Sequence, residues 1–142
     1  MNLSKNFTLE EMIFSQTAID NNIDNTPNKK ETLKLTMLCK NILQPIRDKY
    51  GDVVYVSSGF RCEELNNLVG GSPNSQHKFG EAADIHTKSD TARDNKALFY
   101  LIKEMIESGE IHVGQLINEH NFNWIHISLP NINHHNQIIS LN

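Results

Sequence analysis

The segment Ser75-Gln76-His77-Lys78-Phe79-Gly80-Glu81-Ala82-Ala83-Asp84 puts an imidazole on a turn and a carboxylate on the strand that the chain enters after Gly80. Gly80 lets the backbone reverse, and Ala82 and Ala83 leave space beside the carboxylate, so two stretches of chain can converge on one point. On its own a His and an Asp seven residues apart is a weak signal. A second segment, Trp124-Ile125-His126-Ile127-Ser128, alternates so that Trp124, His126 and Ser128 face one way while Ile125 and Ile127 face a core. His126 is therefore placed to be a third ligand. Two imidazoles and one carboxylate leave the fourth position of a tetrahedral Zn2+ to water, which is the ligand set of a catalytic site. A structural zinc site is instead closed by four Cys or His, and Cys39 and Cys62 are the only cysteines available.

The other five histidines are read differently. His86 lies two residues from Asp84 on the same strand face, and is expected beside the ligand set rather than in it. His112, His120, His134 and His135 sit in polar surroundings without partners at metal spacing, so solvent exposure is expected for them. Trp124 reads as a packing residue that walls the site.

The elements that must carry these groups follow from capping and periodicity. Thr8-Leu9-Glu10-Glu11 is a capping-box pattern that predicts a short helix to about Ser15, followed by a loop over 20–26. Thr26-Pro27 predicts the start of a longer helix with Leu35, Leu38, Ile42 and Ile46 on its core face, ending near Tyr50-Gly51. Val53 to Ser57 reads as a buried strand, Glu63 to Val69 as a short helix, and 70–75 as a turn. Ala82 to His86 reads as a strand. Ser89 or Asp90 is expected to cap a helix with Leu98, Ile102 and Met105 or Ile106 inside and Gly109 as its stop. Val113 to Asn118 and Trp124 to Ser128 are two strands joined by a polar turn, and the tail from Pro130 carries no periodicity. The resulting class is α+β, a small and largely antiparallel sheet flanked by helices.

A length of 142 residues with 38% hydrophobic content can bury one core. Residues 1–142 are accordingly read as a single domain, with the motifs in about 7–129 and a tail over 130–142. Thirteen Lys and Arg are scattered among seventeen Asp and Glu, for a net charge of −4, so no basic stripe for nucleic acid is expected. No run approaches the roughly 20 apolar residues of a membrane span, and Met1 to Glu11 lacks the apolar region of a signal peptide. A cytoplasmic product on synthesis, and a monomer, are the expectations.

Ser-x-His-x-x-Gly-x-Ala-x-Asp from Ser75 to Asp84, with Trp-Ile-His at 124 to 126, resembles the M15 zinc peptidases. These are D-alanyl-D-alanine carboxypeptidases, dipeptidases and phage endolysins that cut peptidoglycan cross-links. Ser57-Ser58-Gly59-Phe60-Arg61-Cys62, Leu65-Asn66 and Val69-Gly70-Gly71-Ser72 resemble the segment that carries the family's substrate-binding arginine. Phe7-Thr8-Leu9-Glu10-Glu11 and Leu43-Gln44-Pro45-Ile46-Arg47 are similar to the opening of its phage-type branch. The resemblance implies Zn2+ on His77, Asp84 and His126, Arg61 gripping a carboxylate or carbonyl of a peptidoglycan peptide, and Ser75 assisting it. It also implies action at the bacterial cell wall, after release by phage lysis or as part of a virion. One position departs from the pattern. Many members carry an Asp or Glu general base three residues before the last histidine, where this chain has Asn123, and an amide cannot accept a proton. Glu119 is the nearest carboxylate before His126, and a hairpin to Trp124 would return it to the site. The competing expectation, which Asn123 favours, is a wall-binding module that keeps the fold and the zinc but not turnover.

Overall fold

The computed structural model of the chain describes residues 1–140. Thr8 caps helix α1 (Leu9–Ile13) through the expected capping box with Glu11. That helix ends two residues short of Ser15, because Ser15 caps a second helix, α2 (Gln16–Asp20), by accepting the Ala18 N–H, a helix that the sequence does not separate from the first. The long helix begins at α3 (Lys29–Leu38), and its cap is Asn28 rather than Thr26. Asn28 and Glu31 exchange the two bonds of a capping box, while the Thr26 hydroxyl is taken by Asp24. The helix passes through a π turn (Cys39–Leu43) into α4 (Gln44–Tyr50). Pro45 has no N–H to give to the preceding turn, and the wider turn, in which the Gln44 N–H reaches Cys39, absorbs the mismatch. Gly51, left-handed at φ 80°, stops the helix where the sequence predicts.

Strand β1 (Val54–Ser58) and helix α5 (Glu63–Leu68) follow, then a 3-10 turn (Gln76–Phe79) and strand β2 (Ala82–Thr87). Helix α6 (Ala92–Glu107) is capped by Thr91, whose hydroxyl accepts the Asp94 N–H, and not by Ser89 or Asp90. Ser89 bonds the side chain of Asp94 instead. Strands β3 (Gln115–Glu119) and β4 (Trp124–Ser128) form the expected hairpin. The tail adds β5 (Gln137–Ser140), which pairs parallel to β3. Four residues cannot display a period, and β5 exists because β3 offers it an edge.

The sheet order is β1-β2-β4-β3-β5, antiparallel except for the last pair. One face carries Val54, Ala83, Ile85, Leu116, Ile125 and Ile127, all buried against Leu35, Leu38, Ile42 and Ile46 of the long helix and Leu98, Ile102 and Met105 of α6. Each such Leu or Ile contributes about 1.5–3 kcal/mol on leaving water. The architecture is α+β. Because side chains alternate along a strand, burying Ile85, Ile125 and Ile127 forces Asp84 and His126 onto the opposite face. Among the described residues no helix is long and apolar enough to cross a membrane.

Candidate metal centre

Antiparallel register sets Asp84 directly opposite His126 across β2 and β4, and Ser58 of β1 opposite Asp84 on the other side. His77 arrives from the 3-10 turn, which Ser75 caps by accepting the His77 N–H at 3.2 Å. Gly80, left-handed at φ 73°, closes that turn, and a Cβ there would meet the Glu31 carbonyl at 2.5 Å. Ligand atoms of His77, Asp84 and His126 all lie within 4.8 Å of one another. His77 Nε2 stands 3.3 Å and His126 Nδ1 3.0 Å from the same oxygen, Asp84 Oδ1. Tetrahedral coordination at about 2.0–2.2 Å separates ligand atoms by about 3.3–3.6 Å, so the spacing suits a metal.

The hydrogen-bond chemistry of His77 argues the same way. Its ring is buried, and Nδ1 lies 2.7 Å from the Gly59 carbonyl oxygen, which can only accept, so Nδ1 carries a proton. In a neutral ring Nε2 is then a bare lone pair aimed at a carboxylate oxygen. Two lone pairs repel at that distance unless a second proton or a cation lies between them. A carbonyl behind a histidine, fixing which nitrogen faces the ion, is the usual support of a metal ligand. Burial acts to raise the Asp84 pKa, but in the metal-free site hydrogen bonds and charge from His126 and from a protonated His77 ring outweigh it and hold the carboxyl well below its ordinary range. A cation would find it ionised.

His86 shares the sheet face but is turned away from this group. It stacks on Tyr55 with ring centres 5.5 Å apart, and its Nδ1 faces the Thr87 carbonyl and Asp90. His112, His120 and His135 are exposed, and His134 is half-buried.

Arg61 is tied to the centre through the backbone, its N–H reaching the His77 carbonyl at 3.1 Å. Its Nη2 donates to Ser75 Oγ at 3.4 Å, a long bond, and its Nε is buried without a partner. Burial lowers the guanidinium pKa and the charge of Asp84 opposes that. Arg61 lines a groove of about 310 Å³ together with Phe14, Ser57, Ser58, Leu65 and Val69. A half-buried guanidinium in a groove walled by both apolar side chains and hydroxyls is suited to a carboxylate or carbonyl.

Glu119 pairs with Trp124 across the hairpin, and Ile117 pairs with His126. Glu119 thus shares the face of His126 as its diagonal neighbour, at a Cα spacing of about 7–8 Å typical of such positions. Its carboxylate makes no hydrogen bond or ion pair among the described residues. Asn123 is exposed in the turn. The structure therefore brings His77, Asp84 and His126 together, sets Arg61 and Ser75 beside them, and places Glu119 on the same face.

Two buried amides on the core side of the sheet, Asn95 and Asn118, are not singled out by the sequence. The signal was present for Asn95, a polar residue standing on the apolar stripe of Leu98, Phe99 and Ile102.

The sequence matches the family model described as Peptidase M15 over residues 5–128. A comparison with curated proteins finds no match. The matched stretch holds every residue of the His77, Asp84 and His126 group and every strand that positions it, and the chain belongs to the peptidase M15 family.

Proposed function

We propose that the chain is a zinc-dependent peptidase that hydrolyses peptide bonds in the stem peptides or cross-links of bacterial peptidoglycan, acting as one domain and one chain at the cell wall. The observation that carries the reading is the convergence of His77 Nε2 and His126 Nδ1 on one Asp84 oxygen, with the Nδ1 proton of His77 fixed by the Gly59 carbonyl. A zinc ion held there supplies Lewis-acid polarisation of a carbonyl and activates water at neutral pH. Arg61 binds a carboxylate of the substrate, or a backbone carbonyl if the enzyme cuts internally, and Ser75 steadies the guanidinium. Glu119 accepts the proton of the attacking water as the oxygen bonds to the carbonyl carbon, and returns it to the nitrogen as the C–N bond breaks. No protein nucleophile is required.

The test is the loss of turbidity of purified cell walls with and without a chelator, with the released fragments identified by mass spectrometry. Chelator-sensitive release of peptide fragments supports the reading. Release of new amino and carboxyl ends across a D-Ala cross-link would mark an endopeptidase, and release of free D-Ala a carboxypeptidase. Zinc-loaded protein that binds walls but frees nothing would establish the binding-module reading, which Asn123 favours.

A further inference from the structure

The ladder between β2 and β4 ends at Ile85 opposite Ile125, although β2 runs on to Thr87. The side chain of Asn95, wholly buried on α6, takes up the bonding from there. Its Oδ1 accepts the Thr87 N–H at 2.9 Å and the Thr87 hydroxyl at 2.8 Å. Its Nδ2 donates to the Phe122 carbonyl at 2.9 Å, to the Asn123 carbonyl at 3.4 Å and to Asp90 Oδ1 at 3.1 Å. The amide stands in for a missing peptide unit between the end of β2 and the loop of the β3–β4 hairpin. Asn118, also buried, holds the loop from the other side, accepting the Phe122 N–H on Oδ1 at 2.6 Å and donating to Ser140 Oγ at 2.9 Å.

What these amides hold is strained. His120, Asn121 and Phe122 are three consecutive non-glycine residues in the left-handed region, at φ 48°, 58° and 65°. For a bulky aromatic such as Phe122 this conformation is a genuine outlier, kept by the bonds to Asn95 and Asn118 and by edge-on packing against Phe99, 5.7 Å between centres. The loop has Glu119 at one end and Trp124 at the other. We infer that Asn95, assisted by Asn118, is a positioning residue for the reaction: it locks the strained β3–β4 loop from behind the sheet, so that Glu119 and Trp124 stand at fixed places beside His126. This rests on the proposed role of Glu119.

Asn95→Asp is the sharp variant, since it keeps the shape and the acceptor for Thr87 but turns the donor end into an oxygen facing two carbonyls and the Asp90 carboxylate. The holoenzyme carrying it should retain one zinc per chain and keep KM within about threefold, while kcat on cross-linked muropeptides falls at least about tenfold. In a Glu119→Gln background the same substitution should cost less than about twofold, because the group it positions is already disabled. Acrylamide quenching of Trp124, the only tryptophan, should become more efficient in Asn95→Asp and should not require activity at all. Should Asn95→Asp not fold, Asn118→Ser, which removes the acceptor of the Phe122 N–H, must give the same pattern. Equal losses of kcat in the parent and Glu119→Gln backgrounds, loss of zinc, or unchanged quenching would overturn the inference. A Glu119→Gln protein as active as the parent would instead overturn the role of Glu119, and is read independently of Asn95.

Discussion

His77 and His126 meet edge to face, their ring centres 5.1 Å apart, over a single oxygen of Asp84. The two rings come from a 3-10 turn and from β4, 49 residues apart in sequence. Purified protein is expected to hold about one zinc per chain, measured by elemental analysis after dialysis. His77→Ala, Asp84→Ala and His126→Ala should each empty the site, because two remaining ligands bind weakly. His86→Ala should leave it filled, since His86 faces Tyr55 and Asp90. Full occupancy in His126→Ala would exclude this centre.

Arg61→Ala is expected to reduce kcat/KM by about 10- to 100-fold, corresponding to about 1.5–3 kcal/mol for hydrogen bonds to a charged group, with zinc content unchanged. Arg61→Lys should recover only part, because an ammonium offers a point charge in place of a planar fork. Unaltered kinetics in the alanine variant would reduce Arg61 to a structural role.

Glu119→Gln should lower kcat on the order of a hundredfold or more while zinc and substrate affinity persist. Asn123→Ala should be mild, its side chain being exposed in the turn. Were Glu119→Gln fully active and Asn123→Asp markedly faster than the parent, the base would belong at position 123.

Gly59 links fold and centre: its carbonyl orients His77, and its Cα packs so closely on α1 that a Cβ would run into the Met12 carbonyl oxygen. Gly59→Ala must therefore push α1 or the 58–61 segment aside. A loss of about 1–3 kcal/mol in urea unfolding, typical of overpacking, is expected together with weaker zinc binding in a chelator competition. Parental zinc affinity with parental stability would show that neither contact matters.

The Asp84 carboxyl, depressed by His126 and His77 against the opposing effect of burial, predicts an acid limb in the zinc-free protein. A carboxylate depressed on folding stabilises the native state above its unfolded pKa, near 3.9, and that stability is lost as pH falls from there toward the lower folded value. Urea unfolding at stepped pH below about 4 should show a fall that is shallower in Asp84→Asn. Identical slopes would mean that the depression does not act on folding.

How much was legible in the chain itself differs from element to element. The α6 stripe, the long helix to Gly51, β2 and β4 could all be read, because each repeats a local period over several residues. The alternation of Ile125 and Ile127 around His126 already specified which way the histidine points, and the turn at Gly80 already joined His77 to Asp84. Caps went astray where two acceptors compete a few residues apart. Thr26 and Asn28 can both cap α3, and Asn28 prevails because Glu31, three residues on, completes a reciprocal capping box with it. The hairpin that returns Glu119 toward His126 was legible too, whereas the strand β5, the Gly59 carbonyl behind His77 and the amide of Asn95 between β2 and the hairpin loop were decided by tertiary structure alone. Each depends on the register of segments far apart in sequence, and register is set by which side chains the shared core buries, a property of the assembled chain that no local window contains.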